Sequence, residues 1–221
     1  MERLATQKPE VTRLLTVQYR MHPDIMHFSS TYFYHGLLQA DTSVMGRSVL
    51  DLDSPMLWFD TSPCDHYEQQ PTGSTSRVNS HEATLLVRLV EEYVTSIGQR
   101  RFLDERIDMG IISPYEAQIS LLRSLVKRSS TLRSLRRQIS IHTVDGFQGQ
   151  ERDVIVISTV RANADGRIGF LRDLRRMNVA ITRARHKVII VGNATTLTRH
   201  PFYASLLDHI RRVGRVVEVN E

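Results

Sequence analysis

Two apolar rhythms alternate along the chain. One consists of short aliphatic or aromatic runs of strand length: 14–17, 56–60, 109–112, 139–144, 154–158, 188–191 and 216–219. The other has apolar positions three and four residues apart, the spacing of a helix with one buried stripe. Pro23 opens such a stretch towards Tyr34, with Gly36 as its stop. Asn79, with Glu82 three residues on, forms a capping box for a helix to about Ile97. After Pro114, the positions Ile119, Leu122, Leu125 and Val126 fall on one stripe. Further helices are predicted over 173–185 and 201–212.

Strands alternating with helices imply a mostly parallel sheet covered on both faces. The run 154–158 is aliphatic almost throughout, as a strand buried on both sides requires. The polar stretch 61–78 reads as a long surface loop, and 127–137, rich in Arg and Ser, as a helix end and loop. Neither carries a motif, and both are expected to vary freely. No repeat or linker divides the 221 residues, which read as one domain.

With 41% hydrophobic and 24% charged residues, the composition excludes a disordered or low-complexity chain. A lone cysteine, Cys64, excludes a disulfide framework and fits a reducing compartment. The N-terminus lacks the apolar core of a signal peptide, and no run approaches a membrane span. The expectation is a soluble intracellular protein, cytoplasmic or, in a eukaryote, nuclear, with no membrane partner. The net charge of +5 is unevenly spread: residues 121–190 hold 15 Lys and Arg against 5 Asp and Glu. This concentration suits a polyanion partner, although a merely solvated basic face would look the same.

Several chemistries lack their signatures. None of the three lysines follows a glycine, so G-x-x-x-x-G-K-[ST] is missing, and so is G-x-G-x-x-G. The nine histidines show no metal-ligand spacing, so no metal site is expected. Three segments stand out instead, with polar, charged and Gly residues next to apolar runs: LLTVQYRMHP (14–23), SIHTVDGFQGQERD (140–153) and GFLRDLRRMNVAITRAR (169–185). In open α/β sheets, ligands sit at the carboxyl ends of strands, where the first two segments are expected to lie.

QYRMHP, ISPYEAQ, TVDGFQGQE and NVAITRAR, in this order, resemble the motifs of the second, C-terminal RecA-like domain of superfamily 1B helicases. The branch is the one containing the nonsense-mediated-decay RNA helicase, senataxin and the immunoglobulin-mu-binding-protein helicase. The resemblance spans roughly residues 14–193. It implies a RecA-like α/β fold of the P-loop NTPase type that lacks its own phosphate loop. It also implies half of an ATP-driven motor, with the phosphate loop and the Mg²⁺ ligands in a preceding RecA-like domain upstream of Met1.

The resemblance further implies roles for single residues. Tyr19 matches a tyrosine that stacks on adenine. Arg20 and Arg183 match arginines that reach the γ-phosphate and neutralise charge on the transferred phosphoryl group. Gly149 and Glu151 match the motif at the sugar and phosphate edge of ATP, with a salt bridge to Arg152 as the other reading of Glu151. Pro114, Tyr115, Thr143 and Val144 match positions lining a channel for single-stranded DNA or RNA, where contacts position a strand without reading its sequence. The other reading of Tyr115 is packing under the sheet. Arg161 and Asn163 fall in a turn that is either structural or nucleic-acid-facing, and Arg185 reads as structural. The implied activity is ATP-dependent helicase or translocase, with this chain alone inactive as an ATPase. The alternative is a non-catalytic nucleic-acid-binding module.

Overall fold

The computed structural model describes residues 15–50 and 53–220. In chain order the elements are β1 (Val17–Gln18), α1 (Pro23–Phe33), β2 (Gln39–Ala40), β3 (Met56–Asp60), α2 (Ser80–Ile97), α3 (Gln99–Asp104), β4 (Met109–Ser113) and α4 (Glu116–Arg128). They continue with β5 (Ile139–Thr143), β6 (Arg152–Ser158), α5 (Leu174–Ile181), β7 (Ala184–Gly192), α6 (Ala194–Leu197), α7 (Pro201–Val213) and β8 (Arg215–Glu218). Six strands form one sheet in the order β5-β4-β6-β7-β3-β8, and every pairing in it is parallel.

The aliphatic runs behave as strands buried on both faces must. Ile155, Ile157, Val188 and Ile190 face a core shared with Ile25 of α1, Met177 of α5 and Phe202 of α7. Their neighbours Val154, Val156, Ile189 and Val191 face the opposite core with Leu86 of α2 and Ile119 of α4.

Three expectations need correction. The first apolar run lies largely outside the main sheet: Val17 and Gln18 pair only with Gln39 and Ala40, and Leu14 falls outside the described residues. The helix expected over 173–185 ends at Ile181, because Ala184 is already paired with Arg152 of β6. The capping box is half formed: the Asn79 side chain accepts from the Glu82 amide, but the Asn79 amide donates to Gln118. Glu82 turns inward instead.

The link from β5 to β6 spans only residues 144–151 yet crosses the face of β4. Phe147 in this link is fully buried. Its ring lies so close to Gly110 of β4 that a Cβ there would sit 2.6 Å away. Only glycine leaves the sheet surface low enough for that ring.

Candidate nucleotide-contact cluster and strand channel

The first polar segment is shaped by Gln18. Its Oε1 accepts from the amides of Arg20 (2.9 Å) and Met21 (2.7 Å), while its Nε2 donates to the Met21 carbonyl. This closes a turn in which Met21 points into the core and Tyr19, 63% exposed, points out. His22 then caps α1 by accepting from the Asp24 amide through Nδ1. That role needs an unprotonated Nδ1, and burial, opposed by Asp24, pushes the His22 pKa down. The Arg20 carbonyl accepts from Arg47.

Arg20 turns towards the end of the sheet. Its Nε donates to Glu151 Oε2 at 2.5 Å and its Nη1 to the Thr182 carbonyl at 3.3 Å. Arg183 follows α5 and is half-buried; its Nε donates to the Val179 carbonyl and its Nη1 to the Gln150 carbonyl. Burial, then the nearby Arg20 charge, lowers the Arg183 pKa, and Glu151 opposes both. The guanidinium stays protonated at any ordinary pH. Two guanidiniums thus lie near one carboxylate that pairs with Arg20 alone, a local excess of positive charge suited to an anion.

Glu151 is paired with Arg20 rather than Arg152, whose guanidinium donates to the Glu151 carbonyl, Ser140 and Gln150. Gly149 has a φ of +79°, and a Cβ added there would meet nothing within 4 Å, so the backbone is open to a ligand. Glu151 and Arg183 immediately precede β6 and β7, so the cluster sits at the amino ends of these strands. The first two segments do leave the carboxyl ends of β1 and β5 as expected, but the cluster itself lies at the amino ends of β6 and β7. Tyr19 and Arg20 come from outside the main sheet, and loops rather than strand ends supply the charge.

Asp108 and Asp153 lie at the same end. They clamp Arg185, whose Nη2 reaches both oxygens of Asp108 at 3.0 and 3.1 Å and whose Nε lies 3.2 Å from Asp153. The structural reading of Arg185 matches this geometry.

The four channel candidates gather at the opposite end, after β4 and β5. Pro114 and Thr143 are half-buried there. Tyr115 is only 3% exposed, and its hydroxyl accepts from the Phe170 amide at 3.3 Å. Val144 is buried in the core beside Ile112 and Phe147. For both, packing has taken the side chain, so neither presents it to a strand. The exposed aromatic of this end is Phe170, 58% accessible and resting against Tyr115 at 5.3 Å between ring centroids. Sequence reasoning gave Phe170 no role; the flanking Gly169, at φ +54° against the Tyr115 hydroxyl, was the available signal.

The turn that carries Phe170 is tightly built. Val160 adopts a φ of +69°, rare for a β-branched residue, and its amide is held by both oxygens of Glu82 at 2.8 and 3.0 Å. Ser158 donates to the same carboxylate at 2.5 Å. Glu82 is fully buried, and burial pushes its pKa up to about 7 despite these hydrogen bonds. Next to it, Arg161 pairs with Glu68 at 3.2 Å, both side chains buried, and Asn163 donates to Glu68 and to the Arg167 carbonyl. Arg161 is thus buried in an ion pair, and Asn163, half-buried, is tied into the same turn. The loop 61–78, read as free to vary, supplies the buried partner of this turn.

The parallel sheet with helices on both faces is that of a RecA-like α/β domain. The AAA domain family matches residues 1–195, and the chain belongs to it, within the superfamily 1 helicase branch. It is 35% identical to the DNA-binding protein SMUBP-2 of Rattus norvegicus over 98% of this chain and 22% of that protein. It is 38% identical to the regulator of nonsense transcripts 1 homolog of Arabidopsis thaliana, over 98% of this chain and 17% of that one. With the helicase sen1 of Schizosaccharomyces pombe the identity is 34%, over 94% and 13%. The chain thus spans less than a quarter of the length of these relatives. Among the described residues, no helix is long and apolar enough to cross a membrane.

Proposed function

We propose that this chain is the C-terminal half of an ATP-dependent nucleic-acid helicase or translocase. The observation that carries the reading is the cluster of Arg20, Glu151 and Arg183. The Arg20–Glu151 pair brings together residues 131 positions apart, beside an exposed tyrosine and an open glycine backbone. The chain itself has no phosphate loop, so the loop and the Mg²⁺ ligands belong to a preceding RecA-like domain of the same polypeptide. Bound Mg²⁺ would neutralise charge on the phosphates from that side.

In this reading Tyr19 offers its ring to the adenine. Glu151 accepts from the ribose hydroxyls, Gly149 lets the backbone approach, and Arg20 and Arg183 face the γ-phosphate across the cleft between the domains. The two arginines hold charge where it develops during transfer, an effect worth about 10³–10⁵ in turnover. At the other end of the sheet, Pro114, Thr143 and the backbone of residues 115 and 144 contact the sugar-phosphate chain of single-stranded DNA or RNA. Closing and reopening the cleft moves one contact surface relative to the other.

The test is the ATPase of a polypeptide that joins this chain to the preceding RecA-like domain, with and without single-stranded DNA or RNA, beside Arg183→Ala. Polynucleotide-stimulated turnover that the substitution removes supports the motor, and the better stimulant names the track. An inactive joined polypeptide, or an unaffected Arg183→Ala, leaves a nucleic-acid-binding module.

A further inference from the structure

Residues 117–144 contain no Asp or Glu but include Arg123, Lys127, Arg128, Arg133, Arg136 and Arg137. Such a stretch is usually a solvated loop, and the sequence reads that way. The structure differs. Leu132 and Leu135 are completely buried and pin the segment to the α2–α4 side of the sheet. Ser129 Oγ accepts from the Leu132 amide, Leu135 and Gln138 close the next turns, and the Gln138 carbonyl accepts from Met109 at the start of β4. The arginines are therefore carried on an anchored frame.

That frame walls a groove of about 430 Å³ along β5, the edge strand of the sheet. Val126, Ile139 and Ile141 form its apolar side; Lys127, Arg133, Arg136 and Arg137 ring it, all exposed. No carboxylate lines the groove, and among the described residues none of these four cations makes an ion pair. Arg123 is differently used: its Nε and Nη2 both donate to the Ile141 carbonyl, at 3.1 and 2.8 Å, and it pairs with Glu116 at 3.6 Å. Lys127 also complements the C-terminal dipole of α4, a structural use that does not extend to the three arginines beyond the helix.

We propose that this groove is a second nucleic-acid site that takes the phosphodiester backbone of a strand continuing beyond the channel. The choice of nucleic acid, rather than another polyanion, rests on the helicase reading above. Four like charges held together without a counter-anion favour a ligand that brings several negative charges in a row. Guanidinium forks match phosphate oxygens two at a time, and the aliphatic wall suits the sugar faces between phosphates. β5 itself supplies the continuity: it runs from the groove at Ile139 and Ile141 to Thr143 at the channel end. The groove is concave, and no large apolar side chain in the segment is exposed, as insertion into an anionic bilayer would require.

The experiment is fluorescence anisotropy of the 221-residue chain with a labelled oligonucleotide, single-stranded and duplex, over a salt series. It compares the unsubstituted chain with Lys127→Gln/Arg133→Gln/Arg136→Gln/Arg137→Gln and with Arg133→Lys/Arg136→Lys/Arg137→Lys. The neutralised chain should bind at least tenfold more weakly in about 0.1 M salt. Its slope of log affinity against log salt should fall by about 0.7 for each phosphate no longer neutralised. The lysine variant should keep the slope. Thermal melting checks folding; should the fourfold variant melt early, Arg136→Gln and Arg137→Gln are measured singly, each expected to lower the slope by about 0.7. Equal affinity and slope in the neutralised chain overturn the groove but leave the motor reading to the ATPase test. Absence of binding by the unsubstituted chain also overturns it, as does preference for phosphatidylserine vesicles or polyglutamate over the oligonucleotide. Loss of binding in the neutralised chain together with an inactive joined polypeptide would support the groove and overturn the motor.

Discussion

Arg20 donates to Glu151 at 2.5 Å, joining a residue proposed for the γ-phosphate to one proposed for the ribose. Both side chains are about two-fifths exposed, so the pair itself adds little to stability. Its consequence is positional. Glu151 holds Arg20 against the Thr182 carbonyl, close to Arg183, and two cations stay together around one anion. Glu151→Gln should therefore weaken ATP use in two ways, through a poorer acceptor for the ribose and through a less fixed Arg20. In the joined polypeptide, KM for ATP should rise and kcat should fall. A change in KM alone would separate the two residues.

Arg183→Ala should lower polynucleotide-stimulated kcat by about 10³-fold or more, with a small change in KM, as expected for charge met mainly in the transition state. Tyr19→Ala should act oppositely, raising KM for ATP with kcat nearly kept, and Tyr19→Phe should restore it. Steady-state ATPase kinetics over a range of ATP concentrations read both.

Gly110→Ala should destabilise the fold by about 1–3 kcal/mol, because the new methyl would meet the Phe147 ring at 2.6 Å. A urea denaturation midpoint measures it. A change below about 0.5 kcal/mol would mean that the ring moves aside freely.

Glu82 gives a pH dependence of definite sign. Its folded pKa, raised to about 7, lies above its unfolded value near 4.5, so the folded state binds the proton more tightly. The stability that this provides is complete below about pH 4.5 and is lost as pH rises towards 7. Glu82→Gln should flatten this part of the profile, seen as a smaller fall in melting temperature across that window. An unchanged profile would show that the carboxyl titrates normally.

Arg161→Met should cost about 3 kcal/mol, because the buried Glu68 would lose its cation and keep only the Ala162 amide and Asn163 as partners. Glu68→Leu added to it should recover part of the loss. Thermal melts of the two single variants and the double variant form the test.

Local chemistry made much of this structure legible in advance. The run Met56–Asp60 is a strand with the expected bounds, and the Asn79-capped helix ends at Ile97 as read. The faces of 154–158 and 188–191 follow from their continuous aliphatic character. Legibility failed where a distant partner decided the outcome. TRAR looks like the end of a helix, but pairing with β6 makes Ala184 and Arg185 strand. Glu82 looks like half of a capping box until the left-handed Val160, 78 residues away, claims its carboxylate. At the site, the motif resemblance singled out Tyr19, Arg20, Glu151 and Arg183, whereas burial of Tyr115 and Val144 depends on packing that no local pattern records.

The link under Phe147 has a mechanical meaning. Between Thr143 and Arg152 the chain must travel back about six residue steps along the sheet, about 20 Å, and past β4, about 10 Å sideways. The nine steps across its eight residues reach about 31 Å at full extension, and three of the residues are wound into a turn of 3₁₀ helix. Little slack remains, and Phe147 is nailed at the midpoint. The segment is a taut strap pinned to the face of β4, so Gly149 and Glu151 are held at a fixed reach from the end of β5 and have little room to swing.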